Sequence, residues 1–262
     1  MKNISKLLII LLIPIVSFAQ KTIKASDIMK NIMAGKTVIL KDATIEGVLD
    51  LTHMEHALDK LRRTKKNSWF HWNSGNSTNR VEKSIDVKIS FTNCTFKDDV
   101  LAYIPDEDSG YTFIANFERE AIFKNCKFEH KALFKYSHFE NNTDFSGTLF
   151  KDDNTFKYAK FDKEIDFSYT IFKEVAIFKY AKFKRTVRFS NATFNDSATF
   201  KYAQFNDGVS FNNTKFEEDL NIKYMKVSGD FNISNMKVAY DIDSKYTKIN
   251  GKSFDKYLID EK

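Results

Sequence analysis

The sequence predicts an all-β solenoid of about eight stacked 22-residue coils, each with four short sides, closed by short helices at its ends. Three observations carry that reading. Phe recurs at 123, 128, 134, 139, 145, 150, 156, 161, 167, 172, 178, 183, 189, 194, 200, 205, 211 and 216, in unbroken alternating steps of five and six. Two residues before most of these stands a small or apolar side chain, among them Ala132, Ala159, Ala176, Val187 and Ala198. The tetrad Phe-Lys-Tyr-Ala at 156–159, 178–181 and 200–203 alternates with Phe-Ser-x-Thr tetrads at 145–148 and 167–170, which doubles an 11-residue period to 22. Neither helical periodicity nor simple strand alternation produces such steps.

Each element follows from that frame. Segments one coil apart stack as parallel strands about 4.8 Å apart, with backbone hydrogen bonds running from coil to coil. Phe at equivalent corners then forms four internal ladders of rings. Ile222, Val227, Ile233, Val238 and Ile249 continue the frame downstream, with Ser244 in an inward slot; Val38, Leu40, Ile45 and Leu51 continue it upstream. Ser26 is placed to cap a helix through Ile28, Met29, Ile32 and Met33, stopped by Gly35. The expected organisation is a signal peptide over 1–19, a helical cap over 20–37, coils over 38–250 and a terminal cap over 251–262. Two insertions, at 57–80 and 97–111, interrupt the early coils.

This pattern resembles the pentapeptide-repeat family, whose unit is a small residue, any residue, Leu or Phe, and two more, as in Ala159-Lys160-Phe161 and Ala203-Gln204-Phe205. The resemblance spans roughly 38–250 and implies a right-handed quadrilateral parallel β-helix with the small residue and the Phe inward. Every second step is six instead of five, so two of the four sides should carry an extra residue. The best-known members of the family are cytosolic and mimic DNA with an acidic surface to bind gyrase. That role does not fit this chain.

With 41 basic and 35 acidic residues the net charge is +6, too small an excess to imply nucleic acid, and none is expected as a partner. Lys2 and Lys6, the apolar run from Leu7 to Val16 and Ser17-Phe18-Ala19 before Gln20 read as an export leader. No Cys follows that run, so a lipoprotein is not expected, and no later segment is long and apolar enough to cross a membrane. The expected location is periplasmic or secreted.

Nothing marks the chain as an enzyme, and no cofactor is implied. His53, His56, His71, His130 and His138 are scattered, and no HExxH, nucleophile elbow, P-loop or dinucleotide fingerprint is present. Cys94 and Cys126, in matching contexts 32 residues apart, should stack on adjacent coils, either as small-slot fillers or as a disulfide. No metal site is expected.

Two surfaces are candidate binding sites. One is the Lys-Tyr face, represented by Lys157, Tyr158, Lys179, Tyr180, Lys201 and Tyr202, with acidic residues such as Asp152, Asp153, Glu174 and Asp196 expected to relieve its charge. The other is the pair of insertions, which should leave from one corner of consecutive coils: Arg62, Arg63, Lys65, Lys66, Trp69, Phe70, His71 and Trp72 in the first, Tyr103 and Tyr111 in the second. The functional expectation is a binding or scaffolding module for a protein or anionic glycan of the cell envelope. Two alternatives stand beside it, a self-associating spacer and a carbohydrate-active β-helix enzyme.

Overall fold

The computed structural model describes residues 21–59 and 79–260. They form a right-handed parallel β-helix with four faces and helical caps. In chain order the first face runs from Val38–Lys41 to Phe231–Asn232 and the second from Lys21–Lys24 to Lys237–Val238. The third runs from Leu49–Asp50 to Ile242–Asp243 and the fourth from Arg80–Ile85 to Lys248–Ile249. Beyond the early coils each strand is two residues long, because five or six residues must supply both a side and its corner.

From the third coil onward the register is 22 throughout, as in Ala132↔Asn154↔Ala176 and Phe139↔Phe161↔Phe183. Each turn's backbone is satisfied by the next: Phe156 N–H donates to Ile177 O at 2.8 Å and Phe178 N–H to Thr199 O at 2.8 Å. The lumen is filled by the four Phe ladders. Phe134, Phe156, Phe178 and Phe200 stack with ring centroids 5.3, 5.1 and 4.9 Å apart. Rings of neighbouring ladders meet edge to face, as Phe156 meets Phe167 at 5.2 Å.

The five- and six-residue steps become two kinds of corner. At a five-step corner the chain makes a tight turn, with Ala159 N–H donating to Phe156 O at 3.0 Å and Tyr158 at φ +61°. Positive φ at the third position makes it a type II turn. The residue closing the turn faces the lumen and is mostly small, with Met225 filling the same slot near the C-terminal end. Where it is Thr, the hydroxyl reaches a carbonyl one coil back, as Thr170 Oγ1 reaches Phe145 O at 2.9 Å. Six-step corners, such as 140–142 and 151–153, take the extra residue as an open bend and carry much of the charge.

The ends differ from the sequence expectation. Lys21–Lys24 adds a strand beneath Ala43–Glu46 before α1 (Ala25–Met33) begins. Lys24, still extended, occupies the N-cap with no side-chain cap bond; Ser26 therefore lies inside the helix and does not cap it. Ala25, Ile28, Met29 and Ile32 are buried over the lumen, whereas Met33 faces solvent. At the other end α2 (Phe254–Asp260) leans on Phe231, to which Tyr257 donates from its hydroxyl at 2.7 Å. Closure is looser there, with Ile233, Val238 and Ser244 only partly buried.

The second insertion also starts later than expected. Val100–Leu101 pairs with both Leu49–Asp50 and Ala132–Leu133, so the lattice holds past Phe96 and the chain departs after buried Ala102. Lys97, Asp98 and Asp99 form an ordinary wide corner. Both insertions replace the tight turn between the third and fourth faces, where the next coil places Phe134-Lys135-Tyr136-Ser137. On return, Arg80–Ile85 pairs in parallel with Thr112–Phe117, and Tyr103–Asp106 pairs antiparallel with Tyr111–Ile114. These longer strands run on past the corner as a three-stranded wing.

Two stability outcomes follow. Asn154 takes an inward slot held by Ala132 and Ala176 in its column, and its buried amide has no hydrogen-bond partner. Asn154→Ala should therefore stabilise the protein by about 1–3 kcal/mol in denaturant unfolding; destabilisation would show the amide to be satisfied. Glu129 bridges Lys127, Lys151 (2.6 Å) and Lys97 (3.9 Å) across three coils, and the bonds from Lys127 and Lys151 lower its pKa from 4.5 to about 2. A lowered carboxylate stabilises fully above its unfolded pKa and ceases to do so as pH falls through its folded pKa. Glu129→Gln should melt below wild type at neutral pH, with the gap closing as pH drops from 4.5 toward 2; a gap independent of pH would rule the bridge out.

Candidate functional site

The tight corner between the third and fourth faces repeats Lys-Tyr in every coil from the third onward. Tyr136, Tyr158, Tyr180, Tyr202, Tyr224 and Tyr246 stack at 4.9, 4.7, 4.7, 4.6 and 4.8 Å. All six sit at φ between +60° and +66°. At the other tight corner the same position is held by Asp42, Asn93, Asn125, Gly147, Asn191, Asn213 and Asn235, with Tyr169 alone aromatic. Asn and Gly enter this region readily, whereas other L-residues pay about 1–2 kcal/mol. Tyr is therefore present at this corner for its side chain, against the backbone's preference.

The stack also decides what the tyrosines can offer. Each inner ring has both faces covered by neighbours, at angles of 2–9° as far as Tyr224 and 21° between Tyr224 and Tyr246, so only ring edges and hydroxyls look outward. The edge is the electropositive part of the quadrupole, and the hydroxyl is a donor. On one flank stand Lys135, Lys157, Lys179, Lys201, Lys223 and Lys245, each with its ammonium 5.1–6.0 Å from the adjacent ring centroid. On the other flank the fourth face aligns His138, Lys160, Lys182, Gln204, Lys226 and Lys248.

The expected acidic relief does not occur. Asp152 and Asp153 face His130 and Lys131 at 3.8 and 3.9 Å, and Asp196 accepts from the Ser197 N–H. The wide corner turns these carboxylates toward their own column. Among the described residues only Lys223 of the two lysine columns has an ion-pair partner, Asp243 at 3.9 Å. Burial and its neighbours Lys135 and Lys179 lower the Lys157 pKa. Ammonium groups one coil apart repel by about 1 kcal/mol even in bulk water.

At the wing the ladder ends abruptly. The Arg80 guanidinium lies 4.1 Å over the Tyr136 ring, and Lys135 donates to the Tyr103 hydroxyl at 2.9 Å. A groove of about 390 Å³ lies between this end and the first three tyrosines, with Glu82, Asn116, His138, Lys160 and Lys182 also in its lining. Arg80, Glu82 and Asn116 were not singled out by sequence. The register of the returning strand, which brings Arg80 level with Thr112, is the signal that places them. Of the insertion candidates, Tyr103 lies against Tyr136 at 5.9 Å and Tyr111 starts the central wing strand. Arg62, Arg63, Lys65, Lys66, Trp69, Phe70, His71 and Trp72 lie outside the described residues.

Cys94 and Cys126 occupy the small slot of the other tight corner on adjacent coils, buried and free. Cys126 donates to Phe91 O at 3.4 Å, in the manner of Thr one coil further on. Burial pushes the Cys126 thiol up, while the neighbouring Cys126 side chain lowers the Cys94 pKa. Among the described residues no group of three or more His, Cys, Asp or Glu could hold a metal ion. A carboxylate-rich cleft on the first face is clamped by Arg188, which contacts Asp166 at 3.2 Å and Glu164 at 3.4 Å.

The ladder's energetics are testable apart from any ligand. Tyr180→Asn removes two ring stacks worth about 0.5–1.5 kcal/mol each and relieves about 1–2 kcal/mol of backbone strain. Unfolding free energy should therefore fall between about 1 kcal/mol above and about 2 kcal/mol below wild type. A loss of several would identify the ladder as a staple of the fold.

Comparison with known proteins agrees with this architecture. A family model described as pentapeptide repeats (9 copies) matches residues 115–160, 134–182 and 178–225. No curated protein and no solved structure matched the chain. Proteins built of such repeats are generally structural and not enzymatic. With the matched repeats, the inward Phe ladders and the four faces, residues 115–225 are pentapeptide repeats of the kind that family model describes.

Proposed function

We propose that the chain is an exported, non-enzymatic scaffold whose Lys-Tyr corner binds a linear polyanion of the cell envelope. The observation that carries this is the ribbon of donors on that corner. Two columns of cations almost free of counter-charge flank a row of phenol hydroxyls, at one coil's spacing, on a backbone strained to hold the tyrosines there. Such a surface focuses positive potential along a line, which favours a partner with repeating anionic groups over a compact one. Because the ring faces are covered, recognition rests on charge and hydrogen bonds and not on stacking. Export is supported by the leader-like residues 1–19.

A second reading, self-association, is favoured by the open C-terminal end. There Phe231–Asn232, Lys237–Val238 and Ile242–Asp243 are the last strands of their sheets. The carbohydrate-active alternative gains no support from the first-face carboxylates, which Arg188 engages.

Polygalacturonate binding, measured against neutral dextran, tests the ribbon. Lys179→Gln/Lys201→Gln should weaken it about tenfold, at about 0.2–1 kcal/mol per exposed ion pair. High salt should weaken wild type likewise. Equal affinity in wild type and double variant would refute the ribbon, and sedimentation that depends on concentration would favour self-association.

A further inference from the structure

We propose that the groove at the wing end of the tyrosine ladder is a recessed site for the terminal unit of that polymer, and that the unit is a hydroxylated sugar acid. This rests on the ribbon reading and adds what the ribbon lacks, an end and a chemical preference. From the third coil to the eighth the Lys-Tyr corner is uniform, so a polymer lying on it could slide from coil to coil. At the wing it could not. Arg80–Ile85 and Tyr111–Phe117 continue straight where later coils turn, and they wall off one end of the groove. The other end opens along the ladder toward Tyr246. At about 390 Å³ the groove suits one or two sugar-sized units.

The side chains at the closed end differ in kind from those of the ribbon. Arg80 seats its guanidinium carbon 4.1 Å over the Tyr136 ring and has no ion-pair partner among the described residues. A guanidinium seated over a ring face keeps donors for a ligand, and its fork takes a planar carboxylate through two parallel hydrogen bonds. Lys160 and Lys182 line the same groove and are likewise without an ion-pair partner among the described residues. Beside them stands one carboxylate, Glu82, which accepts from Asn116 Nδ2 at 2.8 Å and faces no cation within ion-pair distance among the described residues. An acceptor of this kind inside a cationic groove repels a bare phosphate or sulfate chain. It suits a ligand that presents hydroxyl donors next to its acid, which a sugar acid does. Asn116 is itself fixed, its Oδ1 accepting from the His138 N–H at 3.0 Å. The polar end is thus set by the backbone lattice before any ligand arrives.

The experiment uses galacturonate oligomers from dimer to decamer, with inorganic polyphosphate of matching length as comparison, against the purified protein by calorimetry. Arg80→Gln should weaken the dimer and trimer about tenfold, the loss expected for one charge-assisted fork. Arg80→Lys, which keeps the charge and loses the fork, should fall between. Binding of the decamer, held mainly by Lys179 and Lys201, should change far less with Arg80→Gln and far more with Lys179→Gln/Lys201→Gln. Glu82→Gln should raise affinity for polyphosphate relative to the uronides. Should the decamer bind in a Lys179- and Lys201-dependent way while the dimer ignores Arg80, the end site is wrong and the ribbon stands. Should no oligomer bind wild type, both readings fail for sugar acids. Polyphosphate binding unaffected by Glu82→Gln would overturn the assignment of that carboxylate.

Discussion

The coil-to-coil backbone hydrogen bond at a fixed 22-residue register is the constraint on which everything else in this protein depends. Because Phe156 N–H must find Ile177 O and Tyr158 N–H must find Lys179 O, each side chain is placed directly above its counterpart one coil earlier. A parallel ladder of this kind turns a repeat in sequence into a column in space. Inside, the columns are Phe rings whose stacking satisfies both packing and quadrupole. Outside, the same rule aligns like charges. The interior gains from repetition, while the exterior is strained by it, and the strain is informative wherever the sequence declines to relieve it.

It is relieved at most places. Glu129 gathers three lysines, Arg188 reaches Asp166 and Glu164, and Lys184 reaches Asp162 at 2.9 Å. Those pairs sit at wide corners and on the first and second faces. The Lys-Tyr corner alone combines disfavoured backbone at six successive tyrosines with cations almost lacking carboxylate partners. The neighbouring tight corner shows that the lattice accepts Asn or Gly at the same turn position, so geometry does not impose Tyr. Unrelieved charge carried through six coils, beside tyrosines at a turn position that takes Asn or Gly elsewhere, is what the proposed ribbon rests on.

The interior of the fold was almost wholly legible, because a period of five and six in Phe admits one kind of packing and the register follows from it. Legibility failed where backbone and side chain compete. Ser26 looked like a cap, yet Lys21–Lys24 pairs as a strand and hands directly to the helix, leaving Lys24 at the cap position. Lys97 to Asp99 looked like the start of a loop because the Phe spacing breaks there, but buried Ala102 takes the Phe position, with Val100 in the small slot before it. The acidic residues flanking the Lys-Tyr column in sequence point along their own column, a direction that spacing does not reveal. The Arg80 groove was invisible for a different reason. It is formed by a strand returning from an insertion 29 residues longer than an ordinary turn, and only the pairing with Thr112–Phe117 fixes where it lands.

That last point bears on how a repetitive scaffold acquires specificity at all. A uniform column offers every ligand the same site at each coil, so affinity can grow with ligand length while position stays undefined. Breaking the repeat once, at the corner the ribbon occupies, gives the column an origin. The wing does this by extending two neighbouring strands where later coils turn, and the fork of Arg80 and the acceptor of Glu82 arrive on those strands. The insertions need not fold a separate domain to do so, since their returning strands inherit the fourth face's register. Under the proposed reading, direction along the solenoid is imposed by the first two coils and read by the remaining six.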